Sequence, residues 1–154
     1  MIQRIQTVYL LVAAFLLAFF FFIPFSTFVV EPQMVKYLFL VSGLSSEGIT
    51  SESIYSTLPL LILSILVFAI PLVAIFLFKR RMLQIRLCIV ATVLLLGMQG
   101  LLYYYVMAVS KLLPASPHYS IIFVFPLISA ILIFLALRAI AKDETLIRSL
   151  ERLR

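Results

Sequence analysis

Few residues in this 154-residue sequence have the type and spacing that chemistry requires. Cys88 is the one cysteine, so neither a disulfide nor a dithiol redox pair can form within the chain. His118 is the one histidine, whereas a metal site or a haem-carrying bundle needs several ligands held together. It reads as a solvated loop residue. Glu31, Glu47, Glu52, Asp143, Glu144 and Glu151 all lie outside the long apolar stretches. No carboxylate is therefore placed to hold a proton inside a membrane, as small proton-coupled exporters require. The four glycines form no phosphate loop, and there is no spaced His/Glu motif of a zinc protease. The expectation is a non-enzyme with no catalytic residue, no metal and no cofactor.

Two groups of residues remain. The first is Gly97-Met98-Gln99-Gly100, in the middle of an apolar run, with Ser64 and Ser129 as lesser polar intruders. Gln99 can line a polar path. More often such a residue hydrogen-bonds to a neighbouring helix, which Gly97 and Gly100 allow to come close. The second is the basic cluster Lys79, Arg80, Arg81 and Arg86. Such a cluster marks the inner face of a membrane and attracts anionic headgroups. An acidic protein partner would suit it too, and nothing in the spacing points to nucleic acid.

The elements that position these groups follow from composition. The chain is 65% hydrophobic and only 12% charged, about half the usual charged share. Its mean hydropathy is +1.25. A soluble single domain of this size cannot hide so much apolar side chain, so the solvent is lipid. Spans need about 20 apolar residues. Four stretches qualify, over about 7–25, 57–78, 86–109 and 119–141, with an outer loop over 26–56. Thr57 with Pro59 makes a good helix start, and Pro24 closes the first span. Pro71 and Pro126 are each expected to kink or start their helix. The first span has a basic start and an apolar core, but IPFST offers no small-x-small cleavage site. It reads as a retained helix rather than a removed signal peptide.

Charge then orients the chain. Ten of the twelve basic residues fall on one side of the four spans, and only Lys36 and Lys111 on the other. By the positive-inside rule both termini are cytoplasmic. In the outer loop, Thr27–Val30 and Val35–Val41 are β-like around Glu31-Pro32-Gln33-Met34, so either a small hairpin or an interfacial loop fits.

The segment AKDETLIRSLERLR puts Leu146, Ile147, Leu150 and Leu153 within one arc of a helix, with arginines facing away. Asp143 would fall inside that arc, and aspartate is a good helix N-cap. A break near Lys142 and a separate tail helix over 144–153 are therefore expected. The tail has two docks open to it: the lipid surface, or a protein surface, whether a partner or the chain's own KRRMLQIR loop, and its mixed charge favours protein. The predicted architecture is an all-α membrane protein with four transmembrane helices, N-in and C-in. A short outer hairpin or loop and an amphipathic cytoplasmic helix at the C-terminal end complete it.

The stretches MIQRIQTVYLLVAA, KRRMLQIRLC and FLALRAIAKDETLIRSLERLR resemble those of an uncharacterised family, a domain of unknown function. Its members are small four-helix membrane proteins of Bacteroidetes, and the resemblance covers essentially the whole chain. It implies residence in the inner (cytoplasmic) membrane of a Gram-negative bacterium, and it supplies no activity or site. The function most consistent with these observations is an accessory or scaffold subunit, packing against a larger membrane complex or against itself. The alternative is a small transporter or channel using Gln99 and the Pro71 and Pro126 kinks.

Overall fold

The computed structural model describes residues 5–30, 35–46, 57–77, 80–112 and 117–151. Four helices dominate: α1 (Ile5–Phe22), α2 (Leu58–Phe76), α3 (Arg81–Leu112) and α4 (Phe125–Glu151). Among the described residues four helical stretches are long and apolar enough to cross a membrane, the mark of a multi-pass membrane protein. Each helix packs against its neighbours in a ring: α1 on α2, α2 on α3, α3 on α4, and α4 back on α1.

The inward residues explain why the helices pack this way. In α2 the buried positions are Leu60, Ser64, Val67, Pro71 and Ala74. In α3 they include Gln84, Cys88, Ala91, Leu95, Met98, Leu102, Tyr105 and Val109. Both series step by alternating threes and fours. That is the seven-residue repeat of a left-handed bundle, in which side chains of one helix fit between those of the next. In α1 the same step runs through Gln6, Leu10, Ala13, Leu17 and Phe20. In lipid the apolar effect does not favour one apolar face over another, so close packing of small residues decides which face turns inward. Many of the largest apolar side chains accordingly point outward, among them Phe15, Phe22, Phe76 and Phe134.

Helix ends follow local rules, with two departures from the sequence expectation. Helix α2 begins where Thr57 and Pro59 suggest. However, the Thr57 hydroxyl does not cap the helix. It donates 2.7 Å to the Val41 carbonyl and ties the helix start to the outer segment. Helix α2 continues through Pro71 without a break. Pro126 stands in the first turn of α4, after a 3₁₀ turn over Ile121–Val124, and so starts that helix. Helix α3 runs 32 residues, well past the expected 86–109. At about 1.5 Å per residue it is about 48 Å long, against a hydrocarbon core of about 30 Å. Its ends therefore stand in the interfacial layers.

The second departure is at the C-terminal end. No break occurs near Lys142, and α4 runs on through Asp143 to Glu151. The expected cap role for Asp143 is replaced by a tertiary one, because its carboxylate accepts a hydrogen bond from the Gln6 side-chain amide of α1. Ser129, Ile133, Ala136 and Ile140 lead to Asp143 by the same steps of four and three. The aspartate thus lies on the inward stripe, and its partner removes the penalty of that position.

The chain is not all-α. At the far end from Arg80, strands β1 (Ser26–Val30), β2 (Val35–Leu40), β3 (Gly43–Ser46) and β4 (Pro117–Tyr119) form one sheet in the order β3-β2-β1-β4. All neighbours are antiparallel, with Phe28 opposite Tyr37 and Thr27 opposite His118. Leu40 pairs with Gly43 across a two-residue turn, and Gly43 takes φ 143°, which residues with a side chain rarely adopt. Phe25 stacks on Phe20 of α1 with ring centroids 5.6 Å apart, and Phe39 lies 4.7 Å from Phe25. These buried rings seat the sheet on the bundle as a lid. The expected hairpin is therefore present as β1 and β2, within a larger sheet; its turn, residues 31–34, lies outside the described residues.

Candidate functional site

The end of the bundle opposite the sheet gathers the polar residues. Helix α3 starts where Arg80 accepts from the Leu83 and Gln84 amides, and the Arg80 amide itself donates 2.9 Å to the Leu77 carbonyl. This tight link, four residues between α2 and the first turn of α3, places Arg80, Arg81 and Arg86 around one helix end. No acidic residue stands in the first turn of α3 to complement its dipole. Arg80, Arg81, Met82, Leu83 and Arg86 line an open cleft of about 430 Å³, and Glu144 of α4 lines it with them.

Three of the four basic residues singled out in the inner loop are thus brought together, and Lys79 lies outside the described residues. Glu144, the first residue of the expected tail helix, lines the same cleft as the chain's own basic loop. The backbone places Leu146, Ile147 and Leu150 in the last turns of α4. Their side chains and all of Leu153 lie outside the described residues. At this end of the bundle Gln6 and Gln84 are both buried, and Gln6 holds Asp143. Sequence reasoning passed over Gln6 and Gln84, and read Glu144 as the start of the tail helix without placing it beside the basic loop. The signal was available for the glutamines: Gln6 precedes Leu10, Ala13 and Leu17 at heptad spacing, and Gln84 precedes Cys88 and Ala91 in the same way.

The second group sits at mid-helix in α3, and its members separate. The inward stripe passes through Met98 and Leu102, which turns Gly97 and Gly100 outward. A Cβ at either glycine would meet nothing within 4 Å. The glycines therefore bring no helix of this chain close, contrary to the packing role within the bundle. The turns above and below expose Val93, Leu96, Tyr103, Tyr104 and Met107 on the same side of α3. Gln99 is half-buried at the edge of the stripe. Among the described residues its Oε1 is shut off from solvent with no hydrogen-bond donor. Of the two serines, Ser64 satisfies itself within α2 by donating to Leu61, while Ser129 reaches across to the Ala13 carbonyl of α1 at 3.5 Å.

The remaining candidates are placed simply. Cys88 is buried in the α3 stripe as a small apolar side chain. His118 is exposed in β4, where its backbone serves the sheet: its carbonyl accepts from the Ser26 hydroxyl at 3.3 Å. Among the described residues no three metal-ligating side chains converge.

No functionally curated protein matches the chain. A family profile, described as a domain of unknown function (DUF4293), matches residues 2–153, the span that contains all four helices and the sheet between them. By that match over nearly its whole length, the chain belongs to the DUF4293 family.

Proposed function

We propose that this protein is a non-enzymatic scaffold or accessory subunit of the bacterial inner membrane, with both termini cytoplasmic. The observation that carries the reading is the outward face of α3, where Gly97 and Gly100 leave the helix surface open between exposed apolar side chains. Small residues on an unoccupied helix face let a second helix approach closely, and close approach is what stabilises helix pairs in lipid. The occupant is a helix of a larger membrane complex or of a second copy. The orientation rests on charge: the described sheet end carries only Lys36 and Lys111, while Arg80, Arg81, Arg86, Arg138 and Lys142 belong to the opposite end.

The test is gentle extraction followed by affinity purification, with G97L/G100L in parallel. A Cβ at either position would meet no atom of the described chain within 4 Å. A stoichiometric partner or second copy that is lost in the double variant supports the reading. A wild-type protein that runs alone in every detergent sinks it. Orientation is read with a membrane-impermeant thiol reagent in a Cys88→Ser background. Cysteine at Lys142 should be shielded in intact inner-membrane vesicles of cytoplasm-inside orientation, and cysteine at Ser42 labelled.

One observation favours a second reading. The buried, unpartnered Gln99 Oε1 is an acceptor available to a permeating ion or solute within a small transporter or channel. Pro71 and Pro126 each leave a backbone position without an amide donor beside it. Gln99→Leu separates the two readings. Lost flux in liposomes supports transport, whereas the scaffold reading allows at most about 1–2 kcal/mol of weakened helix association.

A further inference from the structure

We infer that the cleft at the start of α3 is a phosphate-binding site, and that it takes the headgroup phosphate of an anionic phospholipid. Arginines that only orient a membrane protein need no cavity, since their long side chains reach out to water. Arg81 does otherwise. It stands three residues before Gln84 and seven before Cys88, so it occupies the inward register of α3. It is half-buried, and its Nη1 is shut off from solvent with no acceptor among the described residues. An inward guanidinium with an unused donor is costly unless an anion completes it.

The surroundings supply the rest of such a site. Arg80 and Arg86 line the same cleft. Guanidinium groups pair with phosphate oxygens two at a time, through parallel N–H donors. The dipole of a 32-residue helix adds positive potential at its start, and no first-turn acid cancels it. Glu144 lies in the lining as well, so three positive groups face one negative group and the cleft keeps a net positive field.

The apolar part of the lining selects the source of the phosphate. Met82 and Leu83 line the cleft and are exposed, beside the three arginines. A free phosphate ion has no use for them. A phospholipid does, because its glycerol and upper acyl segments lie next to its phosphate. Basic clefts between helix ends at a membrane surface are a recurrent way to hold such headgroups. The inference does not depend on the open face of α3, and the two are tested by different residues.

The test uses the full chain purified in mild detergent, with phosphatidylglycerol retained per protein counted by native mass spectrometry. Wild type should keep one lipid through extensive washing. R81Q/R86Q should bind it at least about tenfold more weakly for each arginine removed. R138Q/K142Q is the control, since it removes two exposed positive charges from the same end without touching the cleft. It should retain the lipid. Equal loss in both double variants, or retention in both, overturns the site.

A second measurement needs no variant. Thermal unfolding of wild type is followed in phosphatidylcholine nanodiscs alone, with phosphatidylglycerol added, or with excess inorganic phosphate. A higher midpoint with phosphatidylglycerol only is the expected result. Equal protection by inorganic phosphate overturns the lipid assignment, and no protection by either overturns the site. R81Q/R86Q leaves Gly97 and Gly100 intact, so loss of the lipid with a partner still bound separates this inference from the scaffold reading.

Discussion

Phe39→Ala is the sharpest test of the lid. Phe39 is fully buried, with its ring 4.7 Å from that of Phe25 and 6.3 Å from that of Phe28. Removing a buried phenylalanine side chain costs about 3–5 kcal/mol when the surroundings cannot collapse. Two ring pairs, at about 0.5–1.5 kcal/mol each, are part of that loss. The Phe39 carbonyl also accepts the Phe25 amide at 3.0 Å, so the strand and the ring cluster weaken together. The helices lie outside this cluster apart from Phe20, and their heptad packing should survive. The expected outcome is a lid that opens while the bundle holds. Hydrogen exchange in detergent should show β1 and β2 amides losing protection, with α3 amides near Leu95 and Met98 unchanged. Phe22→Ala is the comparison, because Phe22 is 80% exposed, and it should change stability by no more than about 0.5 kcal/mol. If both variants lose equal stability, or if β1 and β2 keep full protection without Phe39, the argument that these rings seat the sheet is wrong.

Four further outcomes follow from the packing. Ala136 is fully buried on the inward stripe of α4, so Ala136→Leu should overpack it and cost about 1–3 kcal/mol, measured by unfolding in mixed micelles. Asp143→Ala leaves the Gln6 amide without its acceptor and should cost about 1–3 kcal/mol, while Asp143→Asn keeps an acceptor and should recover much of it. Thr57→Val removes the donor to the Val41 carbonyl in a buried setting, with a similar expected cost and faster proteolysis of the outer segment. Gly43→Ala forces a side chain onto φ 143° and should cost about 1–3 kcal/mol, read as a lower unfolding midpoint.

Helix number and approximate position were legible because length and continuous hydropathy carry them. Which face of each helix turns inward was not, since nearly every position is apolar and amphipathicity vanishes. The legible trace was different in kind. Small and polar residues such as Gln84, Cys88 and Ala91, or Ser64, Pro71 and Ala74, recur at heptad steps, and these mark the packed face. Gly97 and Gly100 show the limit of that rule. They are small, but off the stripe, and only the folded register reveals that they face away. The sheet was half legible. Alternating β-like runs announced β1 and β2, whereas β4 is three residues of Pro117-His118-Tyr119 and has no strand signal of its own. It is a strand because β1 offers it an edge. The helix break at Asp143 was expected from a sound local preference, and the preference lost to a partner more than a hundred residues away. The basic cleft was visible as charge alone; that Arg81 points inward is a property of register.

The sheet also sets an order of assembly. Strand β1 follows α1, yet its β4 neighbour precedes α4, with two whole membrane crossings synthesised between them. Until that last stretch of chain has crossed the bilayer, β1 carries an unpaired edge, and the Ser26 hydroxyl lacks the His118 carbonyl. Gln6 likewise waits for Asp143 at the opposite end. The earliest and latest of the four helices are thus clasped to each other at both membrane surfaces. Closure of the ring comes late, with β4 available to β1 before Asp143 is available to Gln6, and a chain stalled after α3 would hold three helices in the membrane with neither clasp made.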